Sequence, residues 1–143
     1  MARVLVVDDD PPLRRTMTRI LESEGFDVVS APSGEWGLDE IVRRGCDFAA
    51  VIVDWSLPGM TGHRFAERAI KLCPELRSRI LHVSGYRPEL PAGASRLDKP
   101  FGPAELLAAV RLLAGVELPV PNSAEEDPDD DMPTSPETPE AKQ

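Results

Sequence analysis

The chain has 143 residues, which is long enough for one domain with a hydrophobic core, and its formal net charge is −9. Residues 117–143 carry −8 of that charge, so residues 1–116 are nearly neutral and show no basic nucleic-acid footprint. No apolar window approaches the roughly 20 residues of a membrane span, and no signal pattern opens the chain. These features predict a cytoplasmic protein that has neither a nucleic-acid nor a membrane partner. Cys46 and Cys73 lack metal-binding spacing and are predicted to be reduced thiols.

Short apolar runs alternate with amphipathic segments along the first 114 residues. The runs predict strands, and helical spacing of apolar residues between Pro, Ser or Thr starts and Gly stops predicts helices. The predicted strands are 4–7, 26–29, 49–53, 79–83 and 96–98, and the predicted helices are 11–23, 34–44, 61–72 and 103–114. This alternation predicts an α/β fold, a doubly wound five-stranded parallel sheet.

Two stretches depart from the alternation. The 14 residues between Ser84 and Lys99 include two prolines and two glycines, so the fourth crossover helix is predicted to be short or absent. Residues 117–143 hold six prolines and few large apolar groups, which predicts an acidic disordered tail. The predicted organisation is therefore one domain over 1–116 and a tail over 117–143.

Polar residues follow the predicted strands at their carboxyl ends. Asp8 and Asp9 follow the first strand, and Asp54 ends the third, a two-sided apolar run typical of a central strand. In a sheet of order 2-1-3-4-5 these carboxylates would meet in one crevice, where Mg²⁺ would relieve their repulsion. Ser84 and Lys99 end the fourth and fifth strands and would add a hydroxyl and a cation. The chemistry that fits is phosphoryl transfer to the Asp54 carboxylate.

Four motifs carry a resemblance to a known family: VLVVDD, VIVDWSLPGMTG, HVSGY and DKPF. Together they resemble the motifs of the CheY-like receiver domains of two-component response regulators, over about residues 3–114. The resemblance implies a flavodoxin-like fold with strand order 2-1-3-4-5. It also implies that Asp54 is the phosphoacceptor, and that Asp8, Asp9, Asp54 and the main-chain carbonyl of Ser56 hold Mg²⁺.

The resemblance assigns further roles at the ends of the last two strands. Ser84 would be the switch hydroxyl that moves to the phosphoryl group, Lys99 would contact that group, and Lys99–Pro100 would be a cis peptide. Family members often have an aromatic residue shortly before the lysine, whereas residues 95–97 are Ser-Arg-Leu. Tyr86 could replace that aromatic residue or could be a surface loop residue.

The function implied is that of a single-domain response regulator. It would take a phosphoryl group from a sensor histidine kinase or a histidine phosphotransfer protein. It would then signal through a separate, unidentified output partner or serve as a phosphate shuttle or sink. We expect a monomer or weak dimer that is not an enzyme beyond catalysing its own phosphorylation and dephosphorylation.

An alternative of another class stays open at this point. Asp8 and Asp10 after an apolar strand resemble the first motif of Mg²⁺-dependent phosphatases of the haloacid-dehalogenase type, as nucleophile and general acid. Pro12 stands where that family prefers Thr or Val, and the folded region is short for that fold. The simpler interpretation of Asp10, which we favour, is a cap of the first helix.

Overall fold

The computed structural model describes residues 2–85 and 94–115, which contain five strands, four α-helices and one 3₁₀ helix. The strands are β1 Arg3–Val7, β2 Asp27–Ala31, β3 Ala50–Asp54, β4 Ile80–Ser84 and β5 Ser95–Asp98. The α-helices are α1 Pro11–Ser23, α2 Gly34–Arg43, α3 Gly62–Leu72 and α4 Pro103–Ala114. The 3₁₀ helix, Pro74–Ser78, was not predicted.

The five strands form one parallel sheet of order β2-β1-β3-β4-β5, which confirms the predicted topology. β3 lies at the centre, where Ile52 pairs with Val6 on one side and Leu81 on the other. All five residues of β3 are buried, as its two-sided apolar sequence predicts. The carboxyl ends of β1 and β3 are therefore neighbours.

Each face of the sheet has its own hydrophobic core. Leu5, Val7 and Val53 point to the face covered by α2 and α3, where Ile41 and Phe65 pack on them. The alternate residues of the strands point to the other face, covered by α1 and α4. That second core includes Val4, Val6, Met17, Leu21, Ile52, Leu81, Leu106 and Val110. Because successive strand residues face opposite sides, a helix layer on each face buries both sets.

The helix ends follow the sequence signals closely. The Ser33 hydroxyl accepts a hydrogen bond from Trp36 N at 3.1 Å, and the Thr61 hydroxyl accepts one from Arg64 N at 3.1 Å. These caps satisfy donors that the first helical turn leaves unpaired. Gly115 ends α4 with a left-handed φ of 70°. Strand ends differ from the prediction by one or two residues, most visibly at β2.

The prediction of two reduced thiols is wrong. Cys46 and Cys73 form a disulfide, with their Cα atoms 5.9 Å apart and 27 residues apart in sequence. The pairing follows from the fold, because α2 and α3 lie side by side on one face and end at the same edge of the sheet. Sequence spacing alone gave no sign of it.

Some predictions concern residues outside the described ranges. These are the short or absent fourth crossover helix, which falls on residues 86–93, the role of Tyr86, and the tail over 117–143. Over the described ranges, no helix combines the length and the hydrophobicity that a membrane crossing needs.

Candidate functional site

Three aspartates converge where β1 and β3 end. Carboxylate oxygens of Asp8, Asp9 and Asp54 lie within 4.8 Å of one another, and we call this group the acidic rim. Asp8 is fully buried, Asp54 is 7% exposed and Asp9 is exposed. The predicted convergence of these three side chains is thus present in the structure, because the parallel register places β1 beside β3.

Asp8 is the member of the acidic rim whose negative charge is least favourable in the folded protein. Its Oδ1 accepts a hydrogen bond from Asp10 N at 2.9 Å, but its Oδ2 is buried and has no hydrogen-bond partner among the described residues. Burial raises the pKa of Asp8 to about 6; the Asp10 N–H opposes this rise and the charge of Asp54 adds to it. A buried carboxylate oxygen without a donor, beside two further carboxylates, suits a hard divalent cation.

Asp54 is held from two sides. Ser56 N donates to Asp54 Oδ1 at 3.1 Å, and Lys99 Nζ lies 3.4 Å from Asp54 Oδ2. The Lys99 side chain is about one-quarter exposed, so this ion pair is only partly screened by water. The carboxylate that the sequence singled out therefore lies between a cation and the rest of the acidic rim.

The backbone brings Lys99 and Ser84 to the same place. Lys99 N donates to Ser84 O at 2.7 Å, where β4 and β5 end, and the Lys99–Pro100 peptide is cis as the resemblance implies. Ser84 is almost completely buried. The predicted serine and lysine are thus adjacent, and the lysine faces Asp54.

The loop after Asp54 is fixed by the start of α3, which sequence reasoning missed. Gly62 N donates to Trp55 O at 2.9 Å, and Trp55 N donates to Val83 O at 2.9 Å. A Cβ atom on Gly62 would lie 2.6 Å from Asp54 O and 2.8 Å from Trp55 Cα. Only glycine allows α3 to approach this backbone so closely.

Two histidines, His63 and His82, contact the ring of Trp55. The Trp55 ring meets His82 edge-on, with centroids 5.2 Å apart, and meets His63 at 5.8 Å. Burial, together with a smaller contribution from the charge of the nearby His63, lowers the pKa of His82 to about 4. His82 is therefore a neutral packing partner of Trp55 at neutral pH.

Other predicted site residues have different contacts. The side chain of Asp10 is exposed and makes no capping hydrogen bond, while its N–H binds Asp8. Ser56 contacts Asp54 through its N–H, and a metal ligand role of its carbonyl stays a prediction. Arg14, which sequence reasoning did not single out, donates to Asp8 O at 2.7 Å.

Comparison with known proteins identifies the class to which this fold and rim belong. The response regulator receiver domain family matches residues 4–111, which is most of the chain. The chain therefore belongs to the response regulator receiver domain family. Neither this match nor the fold supports the phosphatase of haloacid-dehalogenase type. Receiver domains are generally not classical enzymes.

Individual relatives agree with this assignment. Response regulator RppA of Synechocystis sp. is 33% identical over 123 residues, covering 78% of this chain and 50% of that protein. The chain thus spans about half the length of the curated relatives it matches.

Solved receiver domains share the fold. A CheY-like receiver domain protein from Methanospirillum hungatei superposes with a TM-score of 0.72 at 32% identity, covering 80% of this chain and 94% of that one. The CheX-CheY-BeF₃-Mg²⁺ complex from Borrelia burgdorferi gives a TM-score of 0.71 at 25% identity, covering 78% and 88%.

Proposed function

We propose that this chain accepts a phosphoryl group on Asp54 from a phosphohistidine, carried by a sensor histidine kinase or a histidine phosphotransfer protein. The observation that carries the proposal is the position of Asp54 between the Lys99 ammonium and the buried, unsatisfied Oδ2 of Asp8. In this arrangement a nucleophilic carboxylate has a cation on one side. On the other side is a buried carboxylate oxygen that a second cation would neutralise.

The reaction needs little from the protein beyond position and charge. A carboxylate oxygen of Asp54 attacks phosphorus, the phosphorus–nitrogen bond to the donor imidazole breaks, and the leaving nitrogen keeps the electron pair. The Asp54 carboxylate is the nucleophile, so no general base is needed. Lys99 and the Ser56 N–H, which both contact Asp54, would hold the carboxylate and neutralise charge on the transferring group.

The acidic rim fits a magnesium ion. Asp8 and Asp9 would hold it, with Asp54 and the Ser56 carbonyl as further oxygen ligands. The ion would neutralise the phosphoryl oxygens during transfer, and it would give the buried Asp8 Oδ2 the partner it lacks. The Borrelia complex named above contains both BeF₃ and Mg²⁺, which supports proposing that this chain, too, takes a phosphoryl group and a metal.

Ser84 and Lys99 would transmit the conformational change caused by phosphorylation of Asp54 to the surface of the domain. Their backbones are hydrogen-bonded, so movement of the Ser84 hydroxyl toward a phosphoryl group on Asp54 would be coupled to the end of β5. We place this signalling in the cytoplasm, within a domain of residues 1–116. Its output would run through a partner protein or through onward transfer of the phosphoryl group.

Labelling with radioactive acetyl phosphate tests the proposal. Wild-type protein with MgCl₂ should incorporate the label, Asp54→Ala should not, and Asp8→Ala should be labelled at least tenfold more slowly. Asp10→Ala is the matched control, because its exposed side chain lies in the same loop, and it should be labelled normally. Label retained in Asp54→Ala and lost in Asp8→Ala would overturn the proposal.

A further inference from the structure

The Cys46–Cys73 disulfide lies away from the acidic rim. It joins the segment that follows α2 to the C-terminal end of α3, at the edge of the sheet where the strands begin. Nothing in the proposed phosphoryl chemistry uses it. We propose that this pair is a reversible redox site, closed by a peroxide and opened by a dithiol reductant.

The backbone holds both cysteines in bonding position independently of the sulfur bond. Cys46 N donates to Ile41 O at 3.1 Å, in the turn that closes α2, and Cys73 N donates to Ala69 O at 2.8 Å, in the last turn of α3. The Cα separation of 5.9 Å lies inside the range of about 4.4–6.8 Å that disulfides need. Reduction therefore leaves the two sulfurs adjacent and able to bond again.

The backbone conformation of Cys46 supports a redox role for this residue. Its φ of 68° is left-handed, and Cys46 is the one non-glycine residue with positive φ among those that the structure describes. Gly45 before it, at φ 64°, adopts the same conformation without a steric cost. A cysteine in place of asparagine or glycine at such a position is unfavourable for the backbone. The conformation directs its side chain toward α3.

The two cysteines differ in access, and this difference orders the chemistry. Cys46 is partly exposed, whereas Cys73 is 1% exposed and belongs to the hydrophobic core. A peroxide in solution therefore reaches Cys46 first. Cys73 is the resolving thiol, already in place behind it.

The steps balance with a peroxide as oxidant. The Cys46 sulfur attacks one peroxide oxygen, the oxygen–oxygen bond breaks, one water leaves and a sulfenic acid remains. The Cys73 sulfur then attacks the Cys46 sulfur, the sulfur–oxygen bond breaks, and the departing hydroxide takes the Cys73 proton to form a second water. Two thiols lose two electrons and one hydrogen peroxide gains them; an external dithiol reverses the change by being oxidised to its own disulfide.

The test uses the full chain, reduced with dithiothreitol, freed of reductant and titrated with hydrogen peroxide. Thiols are counted with Ellman's reagent, and intact mass and melting temperature are followed on the same samples. We expect one equivalent of peroxide to remove both thiols together, with the loss of two hydrogen atoms and no dimer. Closing a loop of this length should raise the melting temperature by on the order of 10 °C, and dithiothreitol should reverse both changes.

Two single variants separate the roles of the cysteines. Cys46→Ser should keep an unreactive buried thiol and show no rise in melting temperature. Cys73→Ser should accumulate a sulfenic acid on Cys46 that dimedone traps; if this core variant fails to fold, Cys46→Ser and the wild type still decide. Thiols that oxidise one at a time, intermolecular dimers, or oxidation without a change in melting temperature would each overturn the proposal.

Discussion

At the carboxyl edge of the sheet, Asp8 buries an oxygen that has no hydrogen-bond partner among the described residues. At the amino edge, Arg3 donates to Asp27 and to Asp47, both at 3.1 Å, and the disulfide joins the chain nearby. The carboxyl edge brings three carboxylates together, whereas the amino edge pairs an arginine with two aspartates. Under the proposed function, the acidic rim would be kept at a cost in stability for the sake of binding a metal ion and a phosphoryl group, whereas the amino edge contributes to holding the fold.

The largest expected effect comes from removing the positive charge of Lys99, which lies beside the acidic rim. Lys99→Met should slow phosphorylation by acetyl phosphate by about 100-fold, because the Nζ atom 3.4 Å from Asp54 no longer neutralises the transferring group. The measurement is the initial rate of labelling. Lys71→Met, which removes an exposed lysine from the last turn of α3, should label at the wild-type rate. Equal rates in both variants would contradict the assigned role of Lys99.

Removing the buried charge of the rim should stabilise the fold. Because the pKa of Asp8 is raised to about 6, the folded state binds the proton more tightly than the unfolded state, so this aspartate favours folding at low pH and opposes it as the pH rises through 6. Asp8→Asn should therefore raise the free energy of unfolding near pH 7 by on the order of 2–3 kcal/mol.

Urea denaturation at several pH values measures this effect. The gain from Asp8→Asn should shrink as the pH falls from about 6 toward 3, because the carboxyl is protonated in both states only below its unfolded pKa of 3.8. Asp9→Asn, at an exposed position in the same rim, should change stability much less. A wild type that is more stable than Asp8→Asn near pH 7 without divalent ions would contradict the account.

The approach of α3 to the rim should be sensitive to a single methyl group. Gly62→Ala places a Cβ 2.6 Å from Asp54 O, so the helix or the loop must move, at a cost of about 2 kcal/mol in unfolding free energy. Gly102→Ala is the control, since its nearest contact would be Glu105 Oε1 at 3.5 Å. Thermal melting compares the two. A Gly62→Ala protein as stable as Gly102→Ala would show that the close approach is not required.

The smallest effect is expected at the amino edge. Arg3→Ala removes two ion pairs whose acidic partners are roughly half or more exposed, so the loss should be at most about 1 kcal/mol. Added salt should reduce the difference between Arg3→Ala and the wild type, because it screens such pairs. A salt-independent loss would mean that the Arg3 stem, rather than its charge, supports this edge.

The sequence predicts well what depends on local pattern. The apolar runs of β1 and β3 and the carboxylates that end them predicted parallel strands with acidic carboxyl ends, and the strand order implied by the family resemblance then predicted the convergence of Asp8, Asp9 and Asp54. Lys99 and Ser84 followed from the same rule.

The features that were missed depend on how the helices pack on the sheet and on one another. The contact of Gly62 with the Asp54 backbone and that of His63 with Trp55 depend on the position of the α3 start. The disulfide depends on α2 and α3 ending side by side, which the 27-residue separation does not reveal. The 3₁₀ helix after α3 has too short a repeat for a periodic signal.

The most direct test of the account locates the phosphoryl group itself. Protein treated with acetyl phosphate, in MgCl₂ or in EDTA, is reduced with borohydride, which converts an aspartyl phosphate into homoserine, and the site is read by peptide mass spectrometry. We predict homoserine at position 54 in the magnesium sample alone. Homoserine at position 8, or modification of Asp54 that is equal with and without magnesium, would contradict a metal-assisted phosphoacceptor at the acidic rim.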